Sequence, residues 1–271
     1  MNSGPMNSGR SSLVGDVLAD VIAARVAETG RSALDVVDVG AGTGGLAVGI
    51  AGRGHRVTVV DPSPDALAAA RWRAAETGVT LTVVQGEAVD LPGLVGEPGA
   101  ASADFKRADF EGPEAEGAGA DLVICHNVLE YVDSPDAALT AIARVLRPGG
   151  TVSVLAANSV AAVLQRALAG KYAEALALLP GGRAPGPDSP SPSPSAVRRF
   201  TLQELTALIE GAGLRAGDAH GIRIFSSLLP GAGADPSAAE ALRELEDAAA
   251  TCPPLRDIAA RLHVLAYRLA R

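Results

Sequence analysis

Val36-Val37-Asp38-Val39-Gly40-Ala41-Gly42-Thr43-Gly44-Gly45 decides the fold. Apolar, β-branched residues run straight into closely spaced glycines, and Leu46-Ala47-Val48-Gly49-Ile50-Ala51 then reads as a helix. That order describes a buried parallel strand turning sharply into a helix N-terminus. Glycines let the backbone turn tightly and leave no Cβ in the way of an approaching ligand. The free N–H groups of the helix start can hold something polar.

As a pattern, Gly40-x-Gly42-x-x-Gly45 also satisfies the dinucleotide fingerprint, which alone is weak evidence. Asp38 discriminates. A carboxylate at the strand end beside the glycines repels a pyrophosphate and attracts a ligand that carries an ammonium and a sulfonium, which describes S-adenosylmethionine. Asp61 closes the second strand, Val57-Thr58-Val59-Val60, roughly 20 residues on, where an acid meets ribose hydroxyls. It serves NAD and S-adenosylmethionine alike.

The 271 residues can bury one substantial core. Aromatic residues are 3%, so Ala, Val and Leu must build it. With 23 basic and 31 acidic residues the net charge is −8, which gives no global attraction to nucleic acid. No apolar run is long enough to span a bilayer, and residues 1–12 lack the apolar region of a signal peptide. Cys125 and Cys252 are too few for a metal site or a disulfide framework. A cytoplasmic protein with no metal and no membrane contact is expected.

Residues 1–12 read as a tail, and 13–271 as a single domain. Leu13 to Glu28 is a helix by its apolar spacing. Strands are expected at 36–39, 56–60, 80–84, 121–126 and 151–156, with helices between them at about 64–77 and from Asp133-Ser134-Pro135-Asp136 to Leu146. Residues 96–120 are a surface insertion. After the fifth strand, 159–197 holds a helical insertion, Val160 to Leu179, and a Pro/Gly/Ser linker, Pro180 to Ser195. Thr201 and Glu204 form a capping box on a helix to Gly211. Leu214 to Ile224 and His263 to Leu269 are the last strands, with a helix from Ser237 to Ala250 between them. The fold class is α/β: a Rossmann-like, doubly wound, mostly parallel seven-stranded sheet with an antiparallel C-terminal hairpin strand. Gly40–Gly45, Asp61, Glu87–Val89 and Cys125–His126 all fall at strand carboxyl ends, where such sheets bind ligands.

With these residues laid out, the chain resembles the class I S-adenosylmethionine-dependent methyltransferases. Their glycine motif looks like Asp38 to Gly44 and their ribose acid like Asp61. Their adenine loop looks like Gly86-Glu87-Ala88-Val89-Asp90, and their fourth strand like Asp121 to Val132. Leu146-Arg147-Pro148-Gly149-Gly150 matches the element that follows. A closer resemblance, reaching nearly to the C-terminus, is to the tRNA 5-carboxymethoxyuridine methyltransferases. It rests on His126 to Val132, Ala157-Asn158, Leu168 to Tyr172 and Gly221 to Phe225. The resemblance implies cofactor contacts at Gly40, Ala41, Asp61, Ala88, Val89 and His126. Asp38, Gly42, Gly44, Pro62 and Glu87 complete the expected cofactor set. It also implies methyl transfer to the carboxylate of a modified tRNA wobble uridine, on a face built by the helical insertion, Arg199 and Arg223; a small-molecule acceptor is the alternative. Arg10 is the nearest candidate for the cofactor carboxylate. That family is basic where this chain has the neutral 180–195 linker, and aromatic where it has Ala156-Ala157.

Methyl transfer from a sulfonium is an in-line displacement, so the protein chiefly aligns the reactants. A carboxylate acceptor is already ionised and needs only a cation, which Arg199 or Arg223 can supply. A hydroxyl, amine or thiol acceptor needs a base, and His126 is the first choice. Asn158 can hydrogen-bond a substrate; Tyr131 is a further substrate candidate, although it and Tyr172 read first as packing residues; Cys125 reads as a small core residue. The competing functions are small-molecule methylation, an NAD-dependent oxidoreductase, and a non-catalytic S-adenosylmethionine-binding protein.

Overall fold

The computed structural model describes residues 12–98, 119–179, 197–228 and 236–270. Most of the 1–12 tail, the body of the 96–120 insertion, the 180–195 linker and Arg10 lie outside them. Helix α1 spans Leu13–Thr29; the Ser12 hydroxyl accepts from the Gly15 N–H at its start, and left-handed Gly30 ends it. Then follow β1 (Asp35–Val39), α2 (Gly45–Ala51), β2 (Arg56–Asp61), α3 (Pro64–Thr77), β3 (Thr82–Gln85), α4 (Leu91–Val95) and β4 (Ala120–His126). The second half holds α5 (Pro135–Val145), β5 (Leu146–Ala157), α6 (Ser159–Leu168), α7 (Tyr172–Ala177), α8 (Leu202–Gly211), β6 (Arg215–Ile222), α9 (Pro236–Ala249), α10 (Pro253–Arg256) and β7 (Arg261–Tyr267).

Local chemistry sets these bounds. Ser63-Pro64 and Ser134-Pro135 start α3 and α5 in the same way: serine hydroxyl to the third N–H, proline at the first helical position. Thr201 and Glu204 form the expected reciprocal capping box. The helical insertion is two helices rather than one. Gly170, at φ +73°, breaks it between α6 and α7.

The sheet order is β3-β2-β1-β4-β5-β7-β6. The first five strands are parallel, and β7 pairs antiparallel with both β5 and β6. Each face has its own core. Val36, Ile50, Val59, Leu122 and Ile124 pack with α1, α2 and α3, while Val37, Val123, Ile142, Val154, Leu205 and Val264 pack with α5 and α8. The alternation of strand side chains divides the two. Strand β5 begins at Leu146, ahead of the expected Thr151, because the ladder with β4 resumes after a register shift between Ala120 and Leu122. No helix among the described residues is long and apolar enough to cross a membrane.

Candidate active site

The crevice opens where β1 and β4 lie side by side and the chain leaves them in opposite directions, the usual ligand position in such sheets. Gly40, Gly42 and Gly44 all have positive φ, at +63°, +54° and +70°. Gly40 is also sterically closed: a Cβ there would fall 2.5 Å from Cγ2 of Val128. Its backbone therefore runs against the segment after β4, with no side chain between. Arg73 steadies the loop by donating from Nε to the Thr43 carbonyl at 3.0 Å.

Two acids converge here. Asp61 accepts from the Gly42 N–H at 3.0 Å through Oδ2 and from the Ser63 N–H at 2.9 Å through Oδ1. Asp38 is 4% exposed, and no donor among the described residues meets its carboxylate. Burial, with the nearby Asp61 charge, pushes Asp38 up to about 7. A buried acid beside a second acid is the local demand for a cation. The close glycine backbone and this unmatched negative charge fit a compact nucleoside ligand with a positive centre, as S-adenosylmethionine has.

The other expected cofactor residues hold distinct positions. Pro62 is exposed, and its carbonyl accepts from Gln85 Nε2 at 3.1 Å. Glu87 and Asp90 cap a short 3-10 turn, in which Ala88 is buried and Val89 is 41% exposed. The Ala88 methyl joins the core, so only its backbone is available to a ligand. His126, the last residue of β4, is bound through Nε2 to the Ser153 hydroxyl at 2.7 Å. Burial lowers its pKa to about 4, so the ring is neutral at pH 7.

A second cavity, of about 570 Å3, adjoins the carboxyl end of β5. Arg199, Arg223 and Arg261 line it together with Asn158, Gln165 and Ser226. Arg199 and Arg223 come together as expected, and no carboxylate among the described residues pairs with either. Arg261 was not legible as a site residue. Its guanidinium contacts the Asn127 amide oxygen and lies 3.5 Å from Glu130 Oε1. Glu130 is buried, accepts from the Ala157 N–H at 2.7 Å, and leaves Oε2 without a partner. Asn127 and Arg223 are the described non-glycine residues with positive φ, at 57° and 60°. Left-handed backbone at a long side chain is strained and tends to persist at ligand sites.

Two substrate expectations change. Asn158 lines the cavity, but its amide is committed to the fold: Oδ1 accepts from the Val160 N–H, and Nδ2 donates to the Asp257 and Ala259 carbonyls. It caps α6 and fastens β5 to the segment before β7. Tyr131 and Tyr172 are 72% and 73% exposed, so neither is a packing residue. Cys125 is fully buried, and burial with Glu130 and Asp38 nearby raises its thiol far above the ordinary range, as an inert core residue requires.

Comparison with known proteins agrees with this geometry. The family model described as "Methyltransferase domain" matches residues 13–216. The chain is 28% identical over 247 residues to the tRNA 5-carboxymethoxyuridine methyltransferase of Escherichia coli K12, covering 90% of this chain and 83% of that one. It is 32% identical over 208 residues to the ubiquinone biosynthesis O-methyltransferase of Xanthomonas campestris pv. campestris B100, covering 76% and 72%. In three dimensions it matches the plantazolicin methyltransferase BamL, solved with a triazolic desmethylPZN analog and SAH, with a TM-score of 0.55 at 14% identity; the match covers 95% of this chain and 85% of that one.

Proposed function

The chain belongs to the methyltransferase-domain family, and from that premise we propose that its acceptor is a small molecule whose anionic group is gripped by Arg199, Arg223 and Arg261. The protein is an S-adenosylmethionine-dependent enzyme. When bound, that cofactor supplies a methyl group activated on sulfonium. The chain's residues do the rest. Asp61 is held rigidly by two backbone N–H groups for the ribose hydroxyls. Asp38, once ionised, would set a negative potential suited to the cofactor's cationic centres. Gly42, with open space where a Cβ would stand, lets the ligand approach the backbone closely.

The observation that carries the acceptor reading is the cavity at the end of β5, with three guanidiniums and two of them without a carboxylate partner. Arg199 is half-buried and Arg223 exposed; guanidiniums without counter-ions favour a planar anion, which each can meet with two parallel hydrogen bonds. An anion fixed there orients the acceptor toward the β1–β4 crevice, and orientation is the main contribution a protein makes to this displacement. The net charge of −8 and Ala156-Ala157 supply neither the basic track nor the stacking platform that RNA uses.

A second reading has the relative from Escherichia coli in its favour: a carboxylate on a modified tRNA nucleoside, seated on the same arginines. Labelled S-adenosylmethionine incubated with bulk tRNA, and separately with a small-molecule extract, decides between them. Label in the small-molecule fraction is expected. Label confined to tRNA overturns the first reading in favour of the second.

A further inference from the structure

Three of the chain's four histidines are joined in a row through one serine. His126 ends β4, Ser153 lies on β5, His263 on β7 and His220 on β6, so the row crosses four neighbouring strands. The Ser153 hydroxyl is 2.7 Å from Nε2 of His126 and 2.8 Å from Nε2 of His263. Nδ1 of His263 lies 3.4 Å from Nδ1 of His220. Those two rings are 29° apart in plane with centroids 5.4 Å apart, so they meet nitrogen to nitrogen and not face to face. Register explains the row. His220 pairs with His263, His263 with Leu155, and Leu155 with His126; Ser153 sits two residues before Leu155 on the same face.

A hydroxyl has one proton to give, which orders the whole row. If Nε2 of His126 donates to Ser153, then Ser153 donates to Nε2 of His263, and Nδ1 of His263 donates to His220. The opposite order satisfies the same contacts. All three rings are neutral in both, as burial requires: it lowers His126 to about 4 and His263 to about 3, and it lowers His220 as well. The two orders differ by a single proton, carried on Nδ1 of His126 in one and on Nε2 of His220 in the other.

We propose that His126, Ser153, His263 and His220 form a proton relay that takes a proton from the methyl acceptor at the end of β4 and releases one at edge strand β6. The inference rests on the acceptor reading above and narrows it. The methylated atom is a hydroxyl oxygen, and the anion held by the arginines is its anchor. As the oxygen bonds to the methyl carbon, the carbon–sulfur bond breaks and its electron pair stays on sulfur. The O–H proton passes to Nδ1 of His126. The Nε2 proton moves to Ser153, the serine proton to Nε2 of His263, and the Nδ1 proton of His263 to His220, whose Nε2 proton leaves to water. Asp218 and Arg256 are the charged groups beside that exit. After the product leaves, Nε2 of His220 takes a proton back from water, the row shifts in reverse, and Nδ1 of His126 discharges its proton to water in the open crevice. A lone imidazole in this position would have to hold a buried positive charge; the row exports it.

The test is 15N NMR of the imidazoles in the full chain, with S-adenosylhomocysteine as the probe bound in the crevice. Ser153→Ala is expected to change the tautomer pattern of His220, which Ser153 does not touch, and Ser153→Thr to restore it. An unaltered His220 pattern overturns the relay. Should Ser153→Ala fail to fold, His220→Gln on the edge strand is the second break, and a His126 pattern indifferent to it overturns the relay equally. With an anionic hydroxyl acceptor, Ser153→Ala should lower kcat roughly 10- to 100-fold at unchanged KM for the cofactor. A bowed dependence of rate on deuterium fraction should become linear in that variant. Unchanged kcat and isotope dependence overturn the relay, as does methyl-ester formation on the anchoring carboxylate. Coupled rings without turnover of any anionic acceptor support the relay and overturn the acceptor reading instead.

Discussion

Strand β1 carries two buried acids, Asp35 at its amino end and Asp38 three residues on, and the fold treats them in opposite ways. Asp35 receives Arg56 at 2.7 Å, Arg31 at 2.9 Å and Arg147 at 2.9 Å. Its neighbour Asp121, 1% exposed, receives Arg31 at 2.8 Å and Arg147 at 2.9 Å and accepts from the Asp35 N–H. Burial alone would raise Asp35, but Arg56, Arg147 and Arg31 outweigh it and hold the carboxyl well below the ordinary range. Asp38 has the burial without the arginines, and it moves the other way, to about 7. At the amino edge of the sheet the counter-charge is part of the chain. At the carboxyl edge it must come from outside. An acid that the fold leaves uncompensated marks a ligand site more sharply than an acid alone does.

The amino edge should fail first and most severely. Asp121→Ala leaves buried guanidiniums without their partner and should cost about 3–5 kcal/mol in urea unfolding, with cofactor affinity of the folded protein unchanged. A loss confined to affinity would erase the distinction between the two edges. Asp61→Ala should act chiefly on the ligand: calorimetry with S-adenosylhomocysteine should show affinity falling roughly 10- to 100-fold, with a smaller stability loss, about 1–3 kcal/mol, from the Gly42 and Ser63 N–H groups left unpaired.

The two β1 acids should also give opposite pH dependences. Asp38 is raised from 3.8, so its contribution to stability is fully present below that value and is lost as pH rises through about 7. Asp35 is lowered, so its contribution is present above 3.8 and is lost as pH falls through its folded value. Thermal melts of Asp38→Asn should therefore lose the decline between pH 4 and pH 7. Cofactor affinity should rise with pH through about 7, because a cation beside Asp38 favours its ionised form, and Asp38→Asn should flatten that rise. The smallest effect belongs to an exposed pair. Arg166 and Glu174 meet at 2.9 Å but are 38% and 45% exposed, so Glu174→Ala should shift stability by less than about 1 kcal/mol.

The first half of the sheet was legible because its signals are local. Val36 to Gly45 encodes strand, turn and helix in one run, and Ser63-Pro64 fixes the start of α3. Asp38 stood out in the sequence as an acid with no structural reason to sit there, and its solitude in the fold agrees. Other features are products of topology. His220 and His263 are far from Ser153 in sequence, and only the placement of β7 between β5 and β6 aligns them. Arg261 joins Arg199 and Arg223 for the same reason. Asn158 was visible as a polar residue after β5, but its three backbone partners include Asp257 and Ala259, about a hundred positions away. The exposure of Tyr131 and Tyr172 escapes sequence reading because an aromatic in or beside a turn looks the same whether it is covered or bare.

The position of β7 has a consequence for how the chain comes to life. Strand β6 is made before β7, yet it reaches the sheet only through β7. While the polypeptide is emerging from the ribosome, β1 to β5 can already associate and the nucleoside crevice can close. The partner that β6 requires does not yet exist. The acceptor pocket and the histidine row are therefore completed in one late zippering event, when Arg261 to Tyr267 slides between two waiting edges. Until then the exposed edge of β5 must be kept from pairing with a stranger.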